Sequence, residues 1–523
     1  MPVNKKDYLY DMAGPWPQPN QALKLWPIVM HLNKEEKREF FWKIGLRYIK
    51  NAVFYRFAAK RYARKNPGLI PISDEEFCDF MCVRSYSKFM YKANNQEIKE
   101  FLPGFEMGKL DPSKNYFISD LYLMRHVPTV DDQYMATTVC LFEQLEQNDM
   151  HYFKPVAIYV ESVPAEGDKP TKCTIYPEDG NAWALAKYYA LMGCAHRIVF
   201  SHHSTLHFPM DALNAISKTI LPKENLILKL LLPHLQYSLS LNLTVQTTKS
   251  SPIKNKQEYP FCGVSGTEDQ IAQMFVDAHK GVKGRYKAYP PFHFTMKPES
   301  ESNNEYHQFQ MEYYKCIGRF VEKVVQHITA KDKEDLILWA KYIEPYLNIH
   351  ITEQDEDAGG PFSESLGKVA GGLMGHEDFH FPKPNEMRKD HKNELLTKLL
   401  TKIVWDLSVG HAGDHYDFGM MNFNQMPMRL RVPAPAERNI PDFDYAKLRT
   451  KDDVFRHRLE WKMFYIPTNV SLLHDTDYKF STPELQKANA DFLEDLRNTE
   501  RGLANKGIRN FFPLKEIARS IQF

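Results

Sequence analysis

Net charge is nearly absent from this sequence: 67 Lys and Arg against 66 Asp and Glu leave +1 over 523 residues. So balanced a chain gives no electrostatic reason to expect nucleic acid or an anionic membrane as its main partner. Long apolar runs are missing too. The richest, Leu226 to Leu235, is broken by Lys229, Pro233 and His234, and falls short of the roughly eighteen residues a membrane-spanning helix needs, so no transmembrane segment is expected. Glycine and proline, 24 and 33 residues, are too few for collagen-like or low-complexity disorder. Cysteine is scarce as well. The seven are odd in number and scattered from Cys78 to Cys316, which implies no disulfide framework. The start, Met1-Pro2-Val3-Asn4-Lys5-Lys6-Asp7, lacks the apolar core of a secretory signal, so a reducing, cytoplasmic home is the expectation. Cys78 and Cys82 have no companion pair at zinc-finger spacing and read as core thiols.

What is present suits a large core: 43% hydrophobic residues, 13% of the chain aromatic. No Gly/Ser or Pro linker cuts the chain into halves and no internal period recurs, so residues 1–523 read as a single domain. Its first part, 1–180, is mixed α/β. The stretch Phe117 to Tyr176 holds short β-rich pieces such as Pro155 to Val160 and Cys173 to Tyr176, whereas 181–523 has helical spacing almost throughout. The fold class is therefore mainly α with a minor β part. One apolar helical segment runs from Ala182 into the 220s. Another is built on Leu395, Leu396, Leu399, Leu400, Ile403, Val404 and Leu407, whose spacing makes one buried stripe. Surface loops are expected at Lys249 to Tyr259, Glu299 to Glu305 and Glu353 to Gly375.

Twenty histidines are spread along the chain, and two clusters have ligand spacing. The first includes His202, His203 and His207 inside an apolar segment, where unpartnered imidazoles are costly to bury. In a regular α-helix His202 and His207 point about 140° apart, whereas a π-turn brings five-apart side chains nearer to line. Pro209 fits either a distorted helix or a new helix start. The second cluster, Val409-Gly410-His411-Ala412-Gly413-Asp414-His415, puts His411 and His415 on one helix face a turn apart. Either alone reads as a group of hydrogen-bonded histidines; together, four imidazoles without thiolates suit iron, zinc, copper or nickel rather than calcium or magnesium.

These residues carry a resemblance. Trp183-Ala184-Leu185-Ala186-Lys187, His202-x4-His207, Leu221-Pro222 and Lys229 to Tyr237 resemble the central iron-binding helix of lipoxygenases and the segment after it. His411-x3-His415 is similar to the second ligand helix, Pro427-Met428-Arg429-Leu430-Arg431-Val432-Pro433 to a Pro- and Arg-containing stretch beyond it, and Ile517 to Phe523 to the family's terminal segment. The likeness covers about residues 180 to 523, and nothing resembles the amino-terminal β-sandwich of many relatives. It implies a large helical catalytic domain that holds non-haem iron through His202, His207, His411, His415 and the main-chain carboxylate of Phe523; the residues do not discriminate manganese from iron. It also implies a dioxygenase in which ferric hydroxide removes hydrogen from a methylene between two double bonds of an unsaturated fatty acid and O2 adds to give a hydroperoxide.

The sequence departs from the family at three places. On the gapless register back from Leu221-Pro222, His202 holds the second of three five-spaced histidine places and Arg197 stands in the first, a ligand place; His207 matches the third. Either a shifted helix brings His207 to the metal, or the site has lost one imidazole. Phe418 stands where relatives often carry Gln, and Phe523 where the terminal residue is usually isoleucine. Two rival functions follow: a lipoxygenase-fold oxygenase or hydroperoxide-rearranging enzyme acting on another small molecule, and a metal-free lipid-binding or scaffold protein. The H-E-x-x-H pattern at His376 to His380 lies between Gly-rich and Pro-containing segments that disfavour the helix a zinc peptidase needs. The Gly and Lys of Gly360 to Lys368 lack phosphate-loop spacing. His203 and His234 read as hydrogen-bonded or packing residues, and Arg429 and Arg431 as solvated or paired. Nothing in the sequence speaks to oligomeric state.

Overall fold

A computed structural model describes residues 9–11, 28–127, 129, 132–147, 150–164, 168–247, 267–282, 286–287, 305–348, 383–420, 425–462, 470–508 and 511–522. The H-E-x-x-H pattern, the Gly360 to Lys368 segment, Phe523 and nearly all of the three expected loops lie outside these residues. Among the described residues no helix is long and apolar enough to cross a membrane.

The first long helix, α1 (Leu46–Lys65), continues from a π-turn at Phe41–Gly45. A five-stranded antiparallel sheet follows, ordered β1 (Met90–Ala93), β2 (Tyr116–Asp120), β3 (Met135–Gln147), β4 (Met150–Val163) and β5 (Lys172–Ile175). The β-rich pieces are longer than their sequence suggests, because β3 and β4 pair over their whole lengths as one hairpin. Pro155 explains why the sequence pattern is broken there. Phe142 pairs with Pro155 and Leu141 with Ala157, so Val156 is the extra residue of a bulge, and the ladder is disrupted just where Pro155 has no N–H to donate. Alternation sorts the sheet's side chains. Phe117, Cys140, Phe142 and Ile158 face one core with the central helix, while Ile118, Val139, Leu141 and Ala157 face a second core closed by Ile98 and Phe101.

That central helix, α2 (Asn181–His202), begins after Gly180, whose φ of +54° makes the turn in a region that disfavours side chains. Every residue from Leu185 to His202 is buried, as expected of a helix apolar all round. Its polar members have partners. Lys187 Nζ donates to Ile72 O (2.6 Å) and Asp74 Oδ1 (2.8 Å), and Arg197 Nη1 donates to Asp120 O (2.5 Å) while its guanidinium lies 4.5 Å from the Phe89 ring centre. A π-turn at His203–His207 leads into α3 (Phe208–Ile220), with Pro209 in its first turn, and α4 (Ser238–Thr247) packs beside it. Pro209 thus both follows a distortion and opens a helix.

Then come α5 (Glu305–Val325) and α6 (Glu394–Trp405), packed on each other, and α7 (His411–Met420), packed on α2, a π-turn at Asp406–Gly410 joining the last two. The leucine stripe of α6 is buried as its spacing requires: Leu396, Leu399, Leu400, Ile403 and Val404. Next come α8 (Lys451–Glu460), opened by the Thr450/Asp453 capping box, and α9 (Pro483–Asn505), capped by Thr482 with Pro483 in its first turn. Ser520 Oγ donates to Gln236 O (3.0 Å), and Gln522 is buried, so residues just before Phe523 run inside the helical core.

Candidate metal centre

Four imidazoles converge. One ring nitrogen from each of His202, His207, His411 and His415 lies within 4.8 Å of the others, and all four residues are buried. Two distorted helices bring them together. The π-turn after α2 sets His207 beside His202 despite the five-residue step, with Nε2 to Nε2 at 2.9 Å. The other π-turn delivers α7, whose one-turn repeat points His411 and His415 the same way; His415 Nε2 is 3.1 Å from His202 Nε2. Arg197 is not among the four, since its guanidinium is turned to Asp120 and Phe89.

The hydrogen-bond network fixes which nitrogen faces which. His202 Nδ1 lies 2.9 Å from Asp414 Oδ2, and the other Asp414 oxygen accepts from Lys88 Nζ. An ionised carboxylate only accepts, so Nδ1 carries the proton and Nε2 keeps its lone pair. His207 Nδ1 lies 2.8 Å from Asn242 Oδ1; Asn242 Nδ2 donates to His207 O (2.8 Å) and to Asp211 Oδ1 (2.5 Å), which identifies Oδ1 as the acceptor. His207 Nε2 therefore also presents a lone pair. Burial and the neighbouring imidazoles push both rings well below the usual histidine range, so neither takes a second proton. Two lone pairs then face each other at 2.9 Å, which is repulsive unless a cation accepts both. Two nitrogens bound at about 2.0–2.1 Å to one metal stand about 2.8–3.4 Å apart, and both short separations fall in that window. The donor set fits a transition metal of the iron-to-zinc series.

Other sequence candidates take other roles. His203 Nδ1 lies 2.7 Å from Val199 O, its ring stacks on His207 with centres 4.9 Å apart, and burial lowers its pKa to about 4. His234 bridges Arg519 O (2.6 Å) and the Tyr478 hydroxyl (2.9 Å). Arg431 binds Asp453 through two nitrogens, with Arg429 3.7 Å from the same carboxylate. Cys78 and Cys82 are buried thiols. The side chain of Phe418 lies outside the described residues. Asp414, Asn242 and Lys88 were not legible as partners of the histidines, although a lone Asn in the apolar run Leu239 to Leu243 is a signal that a buried polar group needs a partner.

No family model matches the chain. Among curated proteins it is similar to the polyunsaturated fatty acid lipoxygenase ALOX12 of Mus musculus, 22% identical over 77% of this chain and 58% of that protein. It is also similar to the polyunsaturated fatty acid lipoxygenase ALOX15 of Homo sapiens, 21% identical over 70% of this chain and 52% of that one. The chain thus spans little more than half the length of these relatives. Among solved structures, a calcium-dependent 11R-lipoxygenase superposes with a TM-score of 0.66 at 18% identity, covering 99% of this chain and 79% of that one. A coral 8R-lipoxygenase gives 0.64 at 14% identity, covering 99% and 80%. A lipoxygenase crystallised anaerobically with arachidonate gives 0.61 at 13% identity, covering 98% and 79%. The architecture is that of the lipoxygenases, mainly α with a small sheet.

Proposed function

We propose that this chain, which has the lipoxygenase fold, is a non-haem iron dioxygenase that inserts O2 into a polyunsaturated fatty acid to give a hydroperoxide, with His202, His207, His411 and His415 as metal ligands. The observation that carries the reading is the approach of His207 Nε2 and His415 Nε2 to His202 Nε2, at 2.9 and 3.1 Å, inside a buried four-histidine cluster. Bound iron supplies one-electron chemistry, the kind needed to take hydrogen from a methylene between two double bonds.

The protein's own residues prepare the site. Asp414 and Asn242 hold the Nδ1 protons of His202 and His207 and so aim their Nε2 atoms inward. Lys88 balances the Asp414 charge from the turn Ser85–Phe89 just before β1. Burial of all four imidazoles keeps water from competing for those nitrogens. Arg197, paired with the Asp120 carbonyl, adds no ligand and keeps its charge directed away from the histidines.

The test is incubation of the iron-loaded protein with linoleate and with arachidonate under O2. Growth of conjugated-diene absorbance supports the reading. Full iron with no diene from either acid overturns it in favour of an oxygenase or hydroperoxide-rearranging enzyme for another small molecule, a reading favoured by Arg197 at a family ligand place.

A further inference from the structure

The first long helix turns an apolar face to solvent. Trp42, Leu46, Ile49, Val53 and Phe57 recur at steps of four, three, four and four, which sets them on one stripe about 22 Å long. Their exposures, 63%, 37%, 53%, 53% and 77%, are unusual for side chains of this size. Phe41 and Phe54 widen the stripe, and these seven make up most of the large apolar side chains exposed among the described residues. A cluster of this extent rarely stays in water without a function.

The opposite side of the helix is anchored. Ile44, Arg47, Ala59 and Ala63 are buried, and α8 packs against the helix. The helix is therefore packed on one side, and the stripe faces outward from the other.

Charge identifies what it meets. From Phe41 to Lys65 there are eight Lys and Arg residues and no Asp or Glu, in a chain whose total is only +1. Lys50 and Arg61 are exposed along one border of the stripe, and Lys60 and Arg64 beyond its Phe57 end. Aromatic and aliphatic side chains on one face with Lys and Arg beside them are what an interfacial helix requires: apolar groups enter the acyl boundary while the cations meet lipid phosphates. A second copy of the helix suits the face poorly, because it would set the exposed cations of one copy against those of the other.

We propose that the Phe41–Lys65 helix docks this protein on the surface of an anionic lipid bilayer. The claim is independent of the metal centre. It is tested on the full chain by co-sedimentation with vesicles of phosphatidylcholine alone and of phosphatidylcholine mixed with phosphatidylserine, at low and high salt. The parent chain should sediment with the mixed vesicles, more weakly with phosphatidylcholine, and less as salt rises. Trp42→Ser with Phe57→Ser should weaken binding to both lipids by about tenfold or more. Lys50→Glu with Arg61→Glu should weaken binding by about tenfold or more on the mixed vesicles only. Far-ultraviolet circular dichroism and the melting temperature should stay those of the parent in both variants, since every substituted side chain is exposed. The proposal is overturned if the parent stays in the supernatant with phosphatidylserine vesicles, or if the Trp42 and Phe57 substitutions leave its binding unchanged. It is equally overturned if sedimentation velocity without lipid shows a dimer that those substitutions split, which would give the face to a second copy.

Discussion

At the scale of single residues, the centre depends on proton placement as much as on ligand identity. An imidazole offers a lone pair to a metal only on the nitrogen that its partner leaves bare, and Asp414 makes that choice for His202. Replacing Asp414 by Asn keeps the shape but allows the amide to donate to Nδ1, which moves the proton to Nε2. The Asp414→Asn protein should bind Fe(II) about 10–100-fold more weakly than the parent, with unchanged circular dichroism, as read by competition with a chromophoric chelator. Equal affinity would show that the carboxylate does not set the tautomer. The four histidines were legible in the sequence because imidazoles in apolar helices need an explanation. Their partners were not. Lys88 stands more than a hundred residues before His202, and Asp414, though inside the quoted His411 to His415 segment, reads as any polar residue until the π-turn before it sets its direction.

Among the elements, both histidine pairs sit against a π-turn, one containing His207 and one ending just before His411. Each rotates the helix that follows, which is how a five-residue step and a four-residue step come to aim at one point. Upstream of the second turn lies a buried ion pair, Lys402 Nζ to Asp406 Oδ1 at 2.6 Å, with side chains 0% and 2% exposed. Burial opposes charge on both, lowering the Lys402 pKa and raising that of Asp406, while each group favours the charged form of the other. Asp406→Ala leaves the ammonium buried without its carboxylate and should cost about 3–5 kcal/mol in urea unfolding, while Lys402→Met with Asp406→Leu should recover most of that loss. A single-variant cost under about 1 kcal/mol would contradict this account of the turn. The amphipathic stripe of α6 was legible because its period survives burial of one face. The full length of the β3–β4 hairpin was not, since the bulge at Pro155 interrupts the alternation that marks a strand.

For the molecule as a whole, totals conceal what position reveals. A net charge of +1 argued against an anionic surface as the main partner, yet it averages over a helix with eight cations and no anion. Likewise the fold gathers residues from a turn before the sheet, the end of α2, α4 and α7 around one point, a convergence that spacing along the chain does not encode. The central claim is that these buried imidazoles hold one redox-active metal ion. Elemental analysis after anaerobic loading with Fe(II) and removal of excess metal tests it most directly, on the parent beside His202→Ala and His207→Ala. The account predicts about one iron per parent chain and a large loss in each variant; a parent that retains almost no iron, or a His207→Ala protein that retains as much as the parent, would contradict it.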